Sequence, residues 1–191
     1  MKTLLSRLAA LAVGVALLAV GASGQSSNSA ELTAQLKKLF PSAATFSAKT
    51  GTPAHYKAFG PAAGGKAGEL LGLAYWTTEL EPLERGFDGP IKMLVGLNTE
   101  GKITGVIVTD HREPYGYFSV DLPEWPKQFE GKSVRDPFKV GSDVDAISRA
   151  TISVTSASRA IRNSSRKIAR TYLAPPKSPP AGAAGPAAAT Q

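Results

Sequence analysis

The residues whose types and spacing could do chemistry are concentrated in one short segment, Asp145-Ala146-Ile147-Ser148-Arg149-Ala150-Thr151. An acid and a hydroxyl come first, and Thr151 stands where the pattern predicts the start of the last helix. The predicted first turns of that helix are rich in hydroxyls: Ser153, Thr155, Ser156 and Ser158. Backbone N–H groups at a helix N-terminus are unpaired and attract anions, so the segment predicts a phosphate site.

Each residue of the segment has a chemical role in that interpretation. Ala150 is small enough to let a phosphate approach the backbone, and Thr151 supplies a nucleophilic oxygen. Asp145 could accept a proton, hold a metal during group transfer, or cap the turn. A second interpretation is that Asp145 and Ser148 are ordinary cap residues before an amphipathic helix. The segment alone does not decide between them.

The same segment resembles the flavin-attachment motif of the FMN-binding domains in the Rnf/Nqr and nitrous-oxide-reductase-regulator families. In these families an Asp-x-x-Ser/Thr-Gly-Ala-Thr run carries FMN on its last Thr through a phosphoester bond, and that position here is Thr151. One residue departs from the motif, because Arg149 stands where the family usually has Gly.

Further pieces of the chain occur in the family's order. They are the runs Gly86-Phe87-Asp88-Gly89-Pro90-Ile91, Val95-Gly96-Leu97-Asn98, Gly101-Lys102-Ile103-Thr104-Gly105-Val106, His111-Arg112-Glu113-Pro114 and Gly131-Lys132-Ser133-Val134. This order fits the regulator type better than the Nqr type. The resemblance implies covalent FMN on Thr151, an Mg²⁺-dependent flavin transferase that uses FAD, and a membrane-bound redox partner. The other residues expected around the cofactor are Asp145, Ser148, Ala150, Ile152, Ser153, Thr155, His111 and Glu113.

His111 and Glu113 lie two residues apart after a predicted strand. His111 could hydrogen-bond the flavin and bias its redox potential. The two side chains could instead pair with each other, or they could be a surface His and a solvated Glu, and these alternatives stay open on the sequence. One His with one Glu is too few ligands for a metal site. The aromatic residues that follow, Tyr115, Tyr117 and Phe118, are expected to pack into the core rather than to cover a flavin face.

The N-terminus has the pattern of an export signal. Lys2 and Arg7 precede an apolar run from Leu8 to Ala22, and Ala22-Ser23-Gly24 offers a cleavage site. The run is short for a membrane span of ~20 residues, so residues 1–24 are interpreted as a signal peptide rather than a retained anchor. We expect a periplasmic or otherwise extracytoplasmic protein. The chain has no cysteine, which excludes disulfides, thiolate metal clusters and iron–sulfur centres.

The excess of basic over acidic residues lies mainly in the C-terminal part of the chain. Residues 146–191 hold seven bases and no acid. The basic helix has no aromatic before Tyr172, and the protein carries an export pattern, so nucleic acid is not expected as a partner. The alternative to an electron carrier is a non-redox binding module of the same fold, whose basic helix meets a membrane surface or an acidic partner.

The expected fold is α+β, with a strongly bent, mainly antiparallel sheet packed by an N-terminal helix and a long C-terminal helix. Residues 28–173 form the domain, and 174–191 are an Ala/Pro-rich tail expected to be disordered. Helices are predicted at 30–40, 123–129 and 153–172. Strands are predicted at 43–49, 55–60, 69–77, 91–97, 103–109 and 138–140. Gly101 is expected in the left-handed position of the turn between the fourth and fifth of these strands. Arg166 and Arg170 are expected on a solvated helix face.

Overall fold

The computed structural model of the protein describes residues 22–173, with side chains described from Ser29 onward. The helices are α1 (Ala22–Leu39), α2 (Thr77–Leu80), α3 (Glu124–Lys127) and α4 (Thr151–Tyr172). The strands are β1 (Thr45–Phe46), β2 (Tyr56–Phe59), β3 (Leu70–Trp76), β4 (Lys92–Asn98) and β5 (Ile103–Asp110). Within this range no helix is both long and apolar enough to cross a membrane. The predicted signal segment, apart from its last three residues, and the predicted disordered tail lie outside the described residues.

The strands form one antiparallel sheet in the order β1-β2-β3-β4-β5, so every strand pairs with its neighbour in sequence. The register shifts between Ala58 and Phe59, between Lys92 and Met93, and between Gly96 and Leu97. Such irregularities bend a strand and increase its twist. The predicted α+β class with an antiparallel sheet and two packing helices is confirmed.

The two long helices cover opposite faces of this sheet. Successive side chains of a strand point to opposite faces, so Tyr75 and Ala74 belong to different cores. On one face Tyr75, Met93 and Val95 pack with Val154 and Ile161 of α4. On the other face Ala74 and Leu94 pack with Leu36, Leu39 and Phe40 of α1. Because β3 and β4 are covered on both faces, their sequences are almost continuously apolar.

The hairpin that joins β4 to β5 has the predicted turn. The Asn98 side chain accepts hydrogen bonds from the N–H groups of Glu100 (3.0 Å) and Lys102 (2.8 Å). Gly101 has a φ of 79°, as expected for the left-handed position. The N–H of Val134 donates to the carbonyl of Gly101 at 2.9 Å, so a later segment of the chain lies against this turn.

Three predictions about elements and packing are wrong. The first helix begins at Ala22 rather than near Ser29. Residues 138–140 are not a strand: Phe138 has a φ of 51°, and the Asp143 carboxylate binds the N–H groups of Phe138 (3.0 Å) and Lys139 (2.6 Å), which closes a turn instead. Tyr115 and Tyr117 are 44% and 70% exposed, so only Phe118 of that aromatic group packs against the core.

Candidate functional site

The N-terminus of α4 lies where the sequence predicts it, with Thr151 as the first helical residue and Ala150 as the N-cap. The first intrahelical bond runs from the N–H of Val154 to the carbonyl of Ala150 at 3.0 Å. The N–H groups of Thr151, Ile152 and Ser153 therefore have no acceptor in the helix. Among the described side chains, none caps this end. The Thr151 side chain is exposed beside these N–H groups.

Asp145 and Ser148 are both exposed in the segment before the helix. The backbone N–H of Asp145 donates to the Gln128 side chain at 2.7 Å. Neither the Asp145 carboxylate nor the Ser148 hydroxyl bonds to the first turn of α4, so the interpretation of these two residues as helix caps is wrong.

Arg149 occupies the motif position that usually holds Gly, and its φ is 68°. The turn that produces this geometry is closed by the N–H of Ala150, which donates to the carbonyl of Ile147 at 3.1 Å. A left-handed backbone is costly for a residue with a Cβ and free of that cost for Gly. The preference for Gly in the motif thus follows from the backbone, and Arg149 adopts the same conformation at a cost.

The Glu113 carboxylate joins three segments at this site, although the residue is only 7% exposed. It accepts hydrogen bonds from the N–H groups of Phe87 (2.9 Å) and Asp88 (3.1 Å). The Ser153 hydroxyl, in the first turn of α4, also donates to it. The interpretation of Glu113 as a solvated surface residue is therefore wrong. Three donors keep this buried charge satisfied, as burial of a carboxylate requires.

The His111 ring is held within the protein through both nitrogens. Its Nδ1 accepts a hydrogen bond from the N–H of Glu113 at 3.1 Å, so Nε2 carries the proton and donates to Asp121 at 2.7 Å. The His111 side chain is 13% exposed. His111 and Glu113 are thus adjacent, but their side chains do not pair with each other.

Ser153, Ser156 and Ser158 are buried, whereas Thr155 is half-buried one turn beyond Thr151. The Ser158 hydroxyl donates to the carbonyl of Val154 at 2.6 Å. Ser158 therefore does not share the exposed polar surface of Thr151. Such back-bonding to the preceding turn is the usual way in which a hydroxyl is satisfied inside a helix.

The sequence interpretation missed a polar contact and an apolar surface beside Thr151. Glu84, before the Phe87 loop, accepts a hydrogen bond from Ser156 (3.3 Å) and pairs with Arg159 (3.2 Å). Ile152 and Phe87 are 57% and 67% exposed. Their two segments meet at Glu113, because the Phe87 N–H and the Ser153 hydroxyl donate to the same oxygen of its carboxylate. Phe87 was identifiable as the aromatic after Gly86, but no local pattern predicts the contact of Glu84.

The arrangement fits a phosphate whose attached group has an apolar part. Unpaired N–H groups and the positive end of the helix dipole favour an anion at Thr151. Two large apolar side chains are exposed in the segments that meet at Glu113: Ile152 in the first turn of α4, and Phe87, whose N–H shares the Glu113 carboxylate with Ser153.

The sequence matches to known proteins cover the part of the chain that holds the candidate site. The sequence model of the FMN-binding domain family matches residues 86–165, a range that contains every predicted site residue. A subunit of the ion-translocating oxidoreductase complex of Vibrio parahaemolyticus is 33% identical over 88 residues, which is 41% of this chain and 42% of that protein. The same subunit from Pseudomonas aeruginosa is 32% identical over 91 residues, 42% of each chain.

A third relative, the corresponding subunit from Shewanella baltica, is 35% identical over 88 residues, which is 41% of this chain and 42% of its own length. The match to these relatives thus covers about two fifths of their length. The preference for the regulator type over the Nqr type stays a prediction. The matched range runs from the Phe87 loop into α4 and includes Glu113 and Thr151. Residues 86–165, less than half of the chain, thus match the FMN-binding domain family.

Proposed function

We propose that this protein is an exported flavoprotein that carries electrons on FMN joined to Thr151 through a phosphoester bond. The observation that supports this most strongly is the position of Thr151. Its exposed hydroxyl lies at the first residue of an uncapped 22-residue helix, at the motif position where the family's Thr stands. A hydroxyl, unpaired N–H groups and the positive end of the helix dipole are therefore together at one point.

The attachment proposed is a phosphoryl transfer from FAD, carried out by a separate Mg²⁺-dependent flavin transferase. Thr151 Oγ1 forms a bond to the phosphorus on the flavin side of FAD, the pyrophosphate bond breaks, and AMP leaves. The proton of the Thr151 hydroxyl goes to a base. The base that we propose is the exposed carboxylate of Asp145, the one acid in the motif. No oxidant or reductant takes part in this step.

The chain's own residues would then hold and shield the cofactor. The N–H groups of Thr151, Ile152 and Ser153 are positioned to bind phosphate oxygens, and Ala150 leaves room for them. Thr155 and Ser148 supply hydroxyls near the attachment point, while Phe87 and Ile152 offer apolar surface to the ring system. Bound FMN supplies the redox chemistry.

In our proposal, His111 and Glu113 contribute to this site mainly by holding its other parts in place. Glu113 fixes the Phe87 loop against the first turn of α4, and His111 donates to Asp121 and accepts from the Glu113 N–H. Both ring nitrogens of His111 are thereby engaged within the protein. Any influence of His111 on the redox potential of the flavin would therefore act through a C–H edge of its imidazole ring or through Glu113.

The proposed setting is extracytoplasmic, with a membrane-bound redox partner. The relatives in the comparison are subunits of an ion-translocating oxidoreductase complex, and ion translocation requires a membrane. The N-terminal apolar run after Lys2 and Arg7 supports export.

Intact mass of the protein from the periplasmic fraction tests export, because a cleaved signal gives a chain that starts near residue 25. A mass that retains residues 1–22 would support an anchor in the membrane through residues 8–22 instead.

The attachment is tested by co-expression with a flavin transferase and in-gel fluorescence after denaturing electrophoresis. The wild type should fluoresce, Thr151→Ala should not, and Thr155→Ala should, since Thr155 is a hydroxyl one turn away that is out of register with the motif. Intact mass should show one FMN per chain, less one water.

Two results would contradict the proposal in different ways. Fluorescence retained in Thr151→Ala and lost in Thr155→Ala or Ser153→Ala would mean that another oxygen carries the flavin. A wild type that never becomes fluorescent, despite a transferase that labels a known substrate, would favour the non-redox binding module.

A further inference from the structure

A concave surface lies at the other end of α4 from Thr151. We call it the arginine groove, and its volume is about 910 Å³. It is lined by the β4–β5 turn at residues 99–101, by residues 133–135, and by Arg166, Ala169, Arg170 and Leu173. At ~1.5 Å per helical residue, Arg166 is ~22 Å along α4 from Thr151. The groove is therefore separate from the candidate flavin site.

The charge of the arginine groove is positive and uncompensated. Arg135, Arg166 and Arg170 line it with one acid, Glu100, which already pairs with Lys102 at 3.4 Å. Across residues 29–173, no carboxylate lies within ion-pair distance of any of these three guanidinium groups. Burial, and then the charges of Arg162 and Arg170, lower the pKa of Arg166. Crowded like charges of this kind are stabilised by a bound anion.

The shape and the apolar lining of the groove narrow the choice of anion. Arg166 Nε and Nη2 donate to the carbonyls of Val134 and Asp136, both at 2.8 Å, so this guanidinium is held in the wall and does not project. This overturns the expectation that Arg166 lies on a solvated helix face. A peptide chain can enter a concave groove and contact its apolar lining, whereas a flat bilayer contacts only the side chains at its rim. Val134, Ala169 and Leu173 add apolar contact surface that a small inorganic anion would leave exposed.

We propose that the arginine groove binds an acidic peptide segment of a partner protein. Carboxylates of that segment pair with Arg135 and Arg170, whose exposed guanidinium groups suit bidentate contacts with carboxylates. Apolar side chains between the acids pack on Val134, Ala169 and Leu173. The binding does not depend on the flavin, and it leaves Thr151 accessible at the far end of α4.

The test uses the full chain and a synthetic peptide in which Glu and Leu alternate. Titration should shift the amide resonances of Gly101, Ser133 and Ala169, and the affinity should fall as salt is added, because exposed ion pairs are screened. The double variant Arg135→Glu with Arg170→Glu should bind about tenfold more weakly. The double variant Lys38→Glu with Lys127→Glu, the same total charge change at exposed positions outside the groove, should change the affinity by less than about twofold. Thr151→Ala should bind like the wild type.

Three results would overturn the proposal. One is the absence of saturable binding, or resonance shifts outside the arginine groove. Another is equal binding of a peptide with Gln in place of Glu. The third is Arg135- and Arg170-dependent binding to phosphatidylglycerol vesicles without binding of the peptide, which would identify a membrane surface as the partner. Circular dichroism of each variant shows that it is folded, and the single variant Arg170→Gln replaces the double variant if that one unfolds.

Discussion

Ser153, in the first turn of α4, donates its hydroxyl hydrogen to the carboxylate of Glu113, which lies just after β5. The same carboxylate binds the N–H groups of Phe87 and Asp88. One buried acid thus sets the distance between the start of α4 and the loop that carries Phe87. Because Thr151 is two residues before Ser153, this contact also fixes the exposed hydroxyl of Thr151 relative to the apolar surface beside it.

We expect Glu113→Ala to lower the free energy of unfolding by about 3 kcal/mol, because it leaves three donors without their acceptor. Ser153→Ala should cost about 1 kcal/mol. The double variant should cost less than the two single variants together, since both remove the same bond. Urea unfolding of the four proteins measures this coupling, and Glu130→Ala, at an exposed acid, serves as the control. Strict additivity would mean that the Ser153–Glu113 bond contributes nothing.

Gly86→Ala should destabilise the protein by about 2 kcal/mol, because the new Cβ would lie against the Glu113 carboxyl group, 2.7 Å from Cδ. Gly60→Ala is a matched control, since its Cβ would meet its nearest neighbour at 3.7 Å. Thermal unfolding compares the two variants. If Gly86→Ala and Gly60→Ala melt at the same temperature, the loop and Glu113 are not in contact in solution.

Arg149→Gly should be more stable than Arg149→Ala by about 0.5–1 kcal/mol, because only Gly adopts a φ near 68° without a steric cost. The comparison with Ala removes the effect of losing the charge. Chemical denaturation of both variants gives the difference. An Ala variant as stable as the Gly variant would show that residue 149 is not left-handed in solution.

Tyr75 should make stability depend on alkaline pH. Burial raises the pKa of its hydroxyl, which donates to Ser165 at 2.7 Å. A folded pKa above the unfolded value of about 10 means that the folded state holds the proton more tightly. Its contribution is therefore complete below pH ~10 and decreases above it, by up to ~1.4 kcal/mol per pH unit.

Tyr75→Phe should cost about 1 kcal/mol at pH 7 and lose less stability than the wild type above pH ~10. Urea unfolding at pH 7, 9 and 11 measures the change, with Tyr117→Phe as the exposed control. Parallel stability curves for wild type and Tyr75→Phe would contradict a buried, protonated hydroxyl.

Local patterns were sufficient for the elements and for the position of the motif. The spacing of Val154, Ala157, Ile161 and Ile168 is enough to indicate α4 and its buried face, because contacts along a helix repeat within a few residues. Gly101 predicted the β4–β5 turn for the same reason. The placement of Thr151 at the start of α4 needed no knowledge of the rest of the chain.

Only the tertiary structure decided how these parts meet. Glu113 looked like a solvated acid in sequence, but its partners are 40 residues away at Ser153 and 26 residues away at Phe87. Arg166 looked like a solvated base until carbonyls 32 and 30 residues away were found to bind it. A sequence pattern reports the polarity of a residue and its near neighbours. Which distant group hydrogen-bonds to a buried charged side chain depends on how the sheet and helices pack. A short stretch of sequence does not contain that information.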